Sequence, residues 1–183
     1  MRLLRYSVAA SLDGYIARHD GSFDWIPHDS SVDFVAMHAK YSTYIMGRKT
    51  YEVCKSQGEQ NPLKGRPKES VLVVSKTLNP EDCPDVTIIS DHVIGEIKKQ
   101  KELDGKDIWL FGGGELCGIC LDARLVDNVE VAIAPVLLRG GVKMIADAEE
   151  SKQHMAELRL ESIEKLNESG MIICKYAVSY KVD

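Results

Sequence analysis

The chain has 183 residues, of which 44% are hydrophobic, and this is enough for a sizeable core in one domain spanning residues 1–183. A formal net charge of -5 gives no general attraction to nucleic acid or to an anionic membrane, so any anionic ligand must be held by a local site. The N-terminal residues lack the apolar segment of a signal peptide, and no apolar stretch is long enough to cross a bilayer. We therefore expect a cytoplasmic protein.

Apolar strand candidates alternate with helical segments along most of the chain. The pattern predicts strands at residues 3–10, 44–46, 71–74, 86–89, 108–111 and 129–134. It predicts helices at residues 31–41, from residue 50 onward, at 92–103 and at 115–123. Strands that alternate with helices indicate an α/β fold with a mainly parallel sheet.

The C-terminal segment has a different pattern. Residues 159–166 and 171–180 flank the turn Asn167-Glu168-Ser169-Gly170, which is typical of a hairpin of two strands. The sheet is therefore expected to finish antiparallel.

A glycine run, Gly112-Gly113-Gly114, follows the strand candidate 108–111 and precedes a predicted helix. Glycines at this position let the backbone approach a pyrophosphate, and the start of the helix supplies N–H donors and positive potential. The alternative is that the run serves only the dihedral angles of a strand-to-helix turn.

Two further segments combine a strand end with groups that can bind anions. Their candidate ligand-binding residues are Gly47, Arg48, Lys49 and Thr50 in the first segment, and Ser75 and Lys76 in the second. Open α/β sheets bind ligands at the carboxyl ends of their strands, and three such loops fit a dinucleotide better than a mononucleotide. The alternative for the first segment is a solvated basic turn with Thr50 as an ordinary helix cap.

These three segments resemble, in the same order, the cofactor-binding segments of dihydrofolate reductases. The matching stretches are residues 46–52, 74–77 and 111–114. Residues 10–14 and 25–26, together with later residues at 125–127, 135–138 and 140–141, are similar to the reductase domain of the riboflavin-biosynthesis deaminase-reductase. The chain thus resembles the dihydrofolate-reductase-like superfamily that includes the RibD C-terminal domains, which implies a three-layer fold with a mostly parallel central sheet.

The resemblance implies NADPH as the cofactor. It places Ala10 and the loop 13–25 over the nicotinamide, residues 47–50 and Ser75-Lys76 on the adenosine phosphates, and residues 112–114 on the pyrophosphate. Arg48 and Lys76 are cations that can form charge-assisted hydrogen bonds to a 2'-phosphate, which favours NADPH over NADH.

Asp33 is the candidate proton donor, because dihydrofolate reductases carry a carboxylate on the helix before this first segment, and Asp29 lies in the same region. Apolar neighbours at the cleft would keep a proton on the Asp33 carboxyl near neutral pH. The alternative is a surface acid in the first turn of a helix. Trp25 and Arg66 are the candidate substrate-binding residues, and Arg66 resembles the arginine that holds the folate carboxylate in dihydrofolate reductases.

The implied reaction is hydride transfer to a small heterocyclic substrate, as in 5-amino-6-(5-phosphoribosylamino)uracil reductase of riboflavin biosynthesis. Gly112 stands where the riboflavin reductases usually have an acid that contacts the substrate. Reduction of dihydrofolate or another pterin, a non-catalytic nucleotide-binding protein on the same fold, and a purely structural protein therefore stay open as alternatives. Related reductase domains commonly pair, so the resemblance also implies a homodimer.

The chain has five cysteines and five histidines. Cys117 and Cys120 lie among apolar residues of a predicted helix and have no partner pair, which favours buried structural thiols. The histidines show no ligand spacing, so we expect no metal site.

Overall fold

A computed structural model describes residues 1–147 and 155–180. The strands in these ranges are β1 Leu4–Ser11, β2 Tyr15–Ala17, β3 Tyr41–Gly47, β4 Val71–Val74, β5 Thr87–Ile89, β6 Asp107–Gly112, β7 Asn128–Ala134, β8 Val142–Lys143, β9 Ala156–Lys165 and β10 Ile172–Tyr180. The α-helices are α1 Phe34–His38, α2 Arg48–Ser56, α3 Val93–Glu102 and α4 Gly114–Asp122, with short 3-10 turns at Gly58–Gln60, Lys68–Ser70 and Pro80–Asp82.

The main sheet has eight strands in the order β5-β4-β3-β6-β1-β7-β10-β9. The first six strands run parallel, β10 pairs antiparallel with β7, and β9 pairs antiparallel with β10. β2 and β8 form a separate two-stranded ribbon. This architecture confirms the predicted α/β fold, with a mostly parallel central sheet that ends in an antiparallel hairpin.

Apolar side chains cover both faces of the sheet and make three layers. On one face, strand residues pack against α3 and α4; this cluster includes Tyr6, Ile45, Leu110, Ile97, Leu116 and Cys117. On the other face, strand residues pack against α2; this cluster includes Tyr44, Met46, Val73, Trp109, Tyr51 and Cys54. Because successive strand residues point to opposite faces, the β3 residues Ile45 and Met46 belong to different clusters.

The first helix is shorter than the sequence predicts. The prediction covered residues 31–41, whereas α1 spans only Phe34–His38 and Tyr41 begins β3. Asp33 caps the helix, since its carboxylate accepts a hydrogen bond from the N–H of Ala36. Tyr41 joins the sheet because its ring packs against Trp109, with the ring centroids 4.8 Å apart.

Strands β2 and β8 were not predicted. They have three and two residues, too few to show an alternating pattern, and they pair across 128 residues of chain at Tyr15 and Lys143. By contrast, the hairpin turn lies where it was predicted, with the N–H of Leu166 donating to the carbonyl of Met171.

Candidate functional site

The candidate site lies where β3 and β6 end side by side. The two strands are parallel neighbours, and Met46 pairs with Gly112. The chain turns at each strand end directly into a helix, α2 after Gly47 and α4 after Gly113. The starts of the two helices therefore lie next to each other at the carboxyl edge of the sheet, where open α/β sheets bind ligands.

Both helices begin without a side-chain cap. Their N-cap residues are Gly47 and Gly113, and neither cap position supplies a side-chain hydrogen bond within the described residues. The first N–H groups of a helix have no partner inside the helix, and the helix dipole makes this end positive. Helix starts of this kind are places at which proteins commonly bind phosphate groups. α1 differs, because Asp33 occupies its N-terminus.

Thr50, in the first turn of α2, brings its hydroxyl close to the glycine turn before α4. A Cβ atom placed on Gly112 or on Gly113 would lie 3.7 Å from the Thr50 hydroxyl oxygen, so this hydroxyl faces the glycine turn. Thr50 is not the helix cap proposed as the alternative, because Gly47 holds that position.

The glycines at the starts of α2 and α4 meet different structural constraints. Gly112 has a φ of +127°, which side-chain-bearing residues rarely adopt. A Cβ on Gly114 would lie 2.3 Å from the carbonyl oxygen of Lys143, so close packing requires glycine there. Gly47 has neither constraint, because its φ is -80° and no described atom lies within 4 Å of its Cβ position. Backbone conformation therefore accounts for Gly112 and close packing accounts for Gly114, whereas neither accounts for glycine at position 47.

Cations surround this edge. Lys49 and Lys76 are exposed, and Arg48 forms a half-exposed ion pair with Glu52 at 2.8 Å. Exposed ion pairs of this kind contribute little to stability. Arg48 could therefore leave Glu52 and bind a ligand phosphate at a small cost in free energy. The hydroxyl of Ser75 is buried and accepts hydrogen bonds from the N–H groups of Thr77 and Leu78, so it shapes the turn after β4.

Ala10 and Asp13 have structural contacts near the end of β1. Ala10 is buried as a whole residue, and its side chain packs with Val131 and Cys174. Asp13 accepts hydrogen bonds from the N–H groups of Leu138 and Arg139. A further bond from the Ser11 hydroxyl is the main cause that lowers the pKa of Asp13.

Trp25 is buried in a small apolar cluster with Ala134, Leu166 and Met171. Its indole N–H has no hydrogen-bond partner among the described residues. A buried donor without a partner is costly in a folded protein, so this N–H is an unusual feature of the cluster.

The two candidate acids have other roles. Asp33 is exposed and caps α1, which is not the apolar cleft position expected from the sequence. Asp29 is buried and accepts hydrogen bonds from the Ser31 hydroxyl and from the N–H of Ser169. These bonds, with the Ser31 bond the largest, hold the pKa of Asp29 well below its usual range, so it is a carboxylate at neutral pH.

Arg66 borders a cavity of about 470 Å³ that is lined by Phe34, Val35, His38, Ala39, Tyr41 and Arg66. The guanidinium lies 4.2 Å from the centre of the Tyr44 ring and donates to the carbonyl of Pro62. A third contact joins a terminal nitrogen of the Arg66 guanidinium to Nδ1 of His38, at 3.2 Å. Burial, and then the Arg66 charge, lowers the pKa of His38, which favours a neutral imidazole.

Sequence reasoning missed His38 as a member of this cavity. The signal that could have found it is helical spacing, since His38 lies four residues after Phe34 and both side chains face the same space. The five cysteines are buried and unpaired, and burial raises the pKa of Cys120 to about 12. Within residues 1–147 and 155–180, no group of three possible metal ligands lies together, and no helix there is long and apolar enough to span a membrane.

A profile of the RibD C-terminal domain matches residues 2–172. The chain belongs to the RibD C-terminal domain family. Two similar proteins of Bacillus subtilis (strain 168) are uncharacterised. YyaP is 29% identical over 157 residues, which cover 81% of this chain and 83% of YyaP. YwjB is 27% identical over 140 residues, which cover 75% of this chain and 79% of YwjB.

Solved structures of related proteins have the same fold. A protein of Shewanella sp. PV-4 assigned by name to riboflavin biosynthesis superposes with a TM-score of 0.79 at 26% identity, covering 98% of this chain and 99% of that one. A pyrimidine reductase-like protein of Corynebacterium diphtheriae superposes with a TM-score of 0.71 at 13% identity, covering 98% of this chain and 93% of that one. The deaminase/reductase of Thermotoga maritima gives 0.67 at 19% identity, covering 97% of this chain and 57% of that one. Family and fold together support a RibD-like reductase.

Proposed function

We propose that this protein is an NADPH-dependent reductase that transfers hydride to a small heterocyclic substrate, similar to 5-amino-6-(5-phosphoribosylamino)uracil. The observation that carries the proposal is the pair of uncapped helix starts at Gly47 and Gly113, with open space at the Gly47 Cβ position. A pyrophosphate bridging the two would accept hydrogen bonds from both sets of free N–H groups. The two adjacent helix starts therefore fit the pyrophosphate of a dinucleotide.

The preference for NADPH rests on the cations at the same edge. Arg48 and Lys49 begin α2, and Lys76 follows β4, the strand next to β3. Their charges would favour the extra phosphate of NADPH. We expect alanine at Arg48 or Lys76 to weaken the binding of NADPH more than that of NADH. Equal losses for the two cofactors would contradict the role of these cations.

A bound nicotinamide would supply the hydride, while the protein holds the substrate and excludes water. The free indole N–H of Trp25 would donate to an acceptor on the heterocycle and fix its orientation. Asp29 is ionised and bonded to the hairpin turn, so it is not the proton donor. Asp33 stays the candidate for this role. An unchanged rate in Asp33→Asn would assign the proton to solvent.

The activity is tested by following NADPH oxidation in the presence of 5-amino-6-(5-phosphoribosylamino)uracil. The proposal predicts turnover that depends on both compounds and that falls in Trp25→Phe through a higher KM, because the variant lacks the indole donor. Saturable binding of NADPH without turnover on pyrimidines or pterins would instead assign the chain to the non-catalytic alternative.

The Arg66 cavity favours a second candidate, the reduction of a pterin with an anionic tail. Its walls include the aromatic residues Phe34 and Tyr41, and its cation has no carboxylate partner among the described ion pairs. Comparing dihydrofolate with a pterin that lacks the glutamate tail tests this function. Arg66→Ala should raise KM for dihydrofolate alone. Equal effects on the two substrates would contradict it.

A further inference from the structure

A short bridging segment, residues 142–146, lies against the first turn of α4. The N–H of Ala146 donates to the carbonyl of Gly114 at 3.2 Å. A Cβ on Gly114 would lie 3.1 Å from the carbonyl oxygen of Met144 and 3.2 Å from the nitrogen of Ala146, so the two main chains are in contact. The bridging segment therefore packs directly on the helix start that is proposed to bind the pyrophosphate.

The bridging segment is also joined to the stretch of chain that leads to Trp25. The N–H of Met144 donates to the carbonyl of Gly14 at 2.8 Å. Strand β8, the first part of the segment, pairs with β2 at Lys143 and Tyr15. The chain then runs from β2 to Trp25, the proposed donor to the substrate. The segment thus connects the proposed cofactor side of the site with the proposed substrate side.

One buried side chain of the main sheet bonds the middle of the bridging segment. Tyr6 lies on β1 and is fully buried, and its hydroxyl donates to the carbonyl oxygen of Met144 at 2.5 Å. Burial, and then the nearby Cys117, raises the pKa of Tyr6, so the hydroxyl stays protonated and can donate at neutral pH. Met144 and Ile145 also pack against the apolar cluster that contains Tyr6. These contacts fix the main chain of the segment relative to β1.

We infer that Tyr6 is a positioning residue for the cofactor, which acts through the carbonyl of Met144 and the bridging segment. The inference rests on the proposed function, since it takes the start of α4 as the place where the pyrophosphate binds. While the segment is held, the N–H groups at the start of α4 and the stretch that leads to Trp25 keep one arrangement. A dinucleotide then binds without having to order them, which favours affinity.

Tyr6→Phe tests this role, because it removes the hydroxyl and keeps the ring. The carbonyl of Met144 loses its partner, so the bridging segment should loosen. Hydrogen exchange measured by NMR should show the Ala146 amide exchanging at least about threefold faster than in the wild type. In calorimetric titration, NADPH should bind the variant at least about threefold more weakly.

Adenosine 2'-phosphate separates positioning from a general loss of structure. This compound carries the extra phosphate of NADPH but neither the pyrophosphate nor the nicotinamide, so it should bind Tyr6→Phe and the wild type equally. An equal loss of affinity for both ligands would mean that the hydroxyl only supports the fold, and it would overturn the inference.

Tyr180→Phe is the matched control. The Tyr180 hydroxyl also donates to a main-chain carbonyl, that of Val126 at 2.9 Å, but this bond lies before the amino end of β7 and away from the site. The control should leave both the exchange of the Ala146 amide and the affinity for NADPH unchanged. Circular dichroism checks that both variants are folded.

The wild type provides a second measurement if Tyr6→Phe does not fold. Coupling between two sites is reciprocal, so saturating NADPH should slow the exchange of the Ala146 amide. An unchanged exchange rate would overturn the inference, as would wild-type affinity for NADPH in Tyr6→Phe. If the wild type binds no NADPH at all, the proposed function fails and the inference fails with it.

Discussion

The three glycines Gly112, Gly113 and Gly114 differ in what the absence of a side chain allows. Gly112 permits a backbone conformation, Gly113 lets α4 begin without a side-chain cap, and Gly114 permits contact with the backbone at Lys143. The sequence showed only that three glycines follow a strand. It could not separate these roles, because they depend on the folded backbone and, for Gly114, on the distant residue Lys143.

Gly114→Ala should destabilise the protein. Its Cβ would lie 2.3 Å from the carbonyl oxygen of Lys143, so one backbone segment must move, at a cost of about 1–3 kcal/mol. Gly47→Ala is the control, and it should change the free energy of unfolding by less than about 1 kcal/mol because its Cβ meets no described atom within 4 Å. Urea unfolding measures both. Equal stabilities would show that the contact at Gly114 relaxes freely.

His38 should make stability depend on pH. Its pKa is lowered in the folded protein, mainly by burial, so the unfolded chain takes up the proton first as the pH falls. Stability from this group is therefore present above about pH 6.5, the ordinary histidine value, and is lost below it. His38→Gln should flatten the profile of Tm between about pH 8 and 5. A slope identical to the wild type would contradict this assignment.

The candidate substrate-binding residues could be named from the sequence, whereas the surroundings of their side chains could not be predicted from it. Trp25 and Arg66 stood out as residue types, yet the orphan indole N–H and the stacking of Arg66 on Tyr44 depend on tertiary packing. Asp33 shows the opposite case. The sequence placed it inside a helix that begins at residue 31, whereas the structure exposes it as the cap of α1.

The loop before α1 and the hairpin turn are joined by one buried carboxylate. Asp29 accepts hydrogen bonds from Ser31 in its own loop and from the N–H of Ser169 in the turn between β9 and β10. Nearby, Glu168 accepts two bonds from Ser30. These contacts fix the hairpin against the loop that carries Trp25.

Asp29→Asn should lower the Tm at neutral pH. The folded-state pKa of Asp29 is depressed, so its stabilisation is present above the ordinary aspartate pKa of about 3.9 and is lost as the pH falls through the folded-state value. The difference in Tm between wild type and variant should therefore shrink in acid. A difference that stays constant from neutral to strongly acidic pH would mean that the charge of Asp29 is not what joins the two segments.

Helices and strands that are long enough to bury one face repeatedly were predictable, because their apolar residues recur at a regular spacing in the sequence. β6 and β7 lie within two residues of their predicted positions. β2, β8 and the early end of α1 were not predictable, since distant contacts such as Tyr41 on Trp109 decide them.

Over the whole molecule, the parallel order of the sheet turns short sequence motifs into one site. β4, β3 and β6 are consecutive neighbours, so the segments that follow them meet at one edge although they lie up to 67 residues apart in the chain, from Gly47 to Gly114. This is why the motif order predicted the fold and the edge of the sheet at which the three segments meet. The proposed substrate-binding residues Trp25 and Arg66 are less readable, because they lie outside the helices and strands, in segments whose contacts have no sequence period.

Phosphate binding at the two uncapped helix starts is tested most directly by calorimetric titration of NADPH into the wild type, Gly47→Ala and Gly47→Ser. Serine at an N-cap position would bond the free N–H groups of α2, so the Gly47→Ser variant should keep or gain stability and bind NADPH at least about tenfold more weakly than the wild type. Gly47→Ala should also bind more weakly, because its methyl group fills the open space. Wild-type affinity in both variants, or no saturable binding by the wild type, would contradict the account.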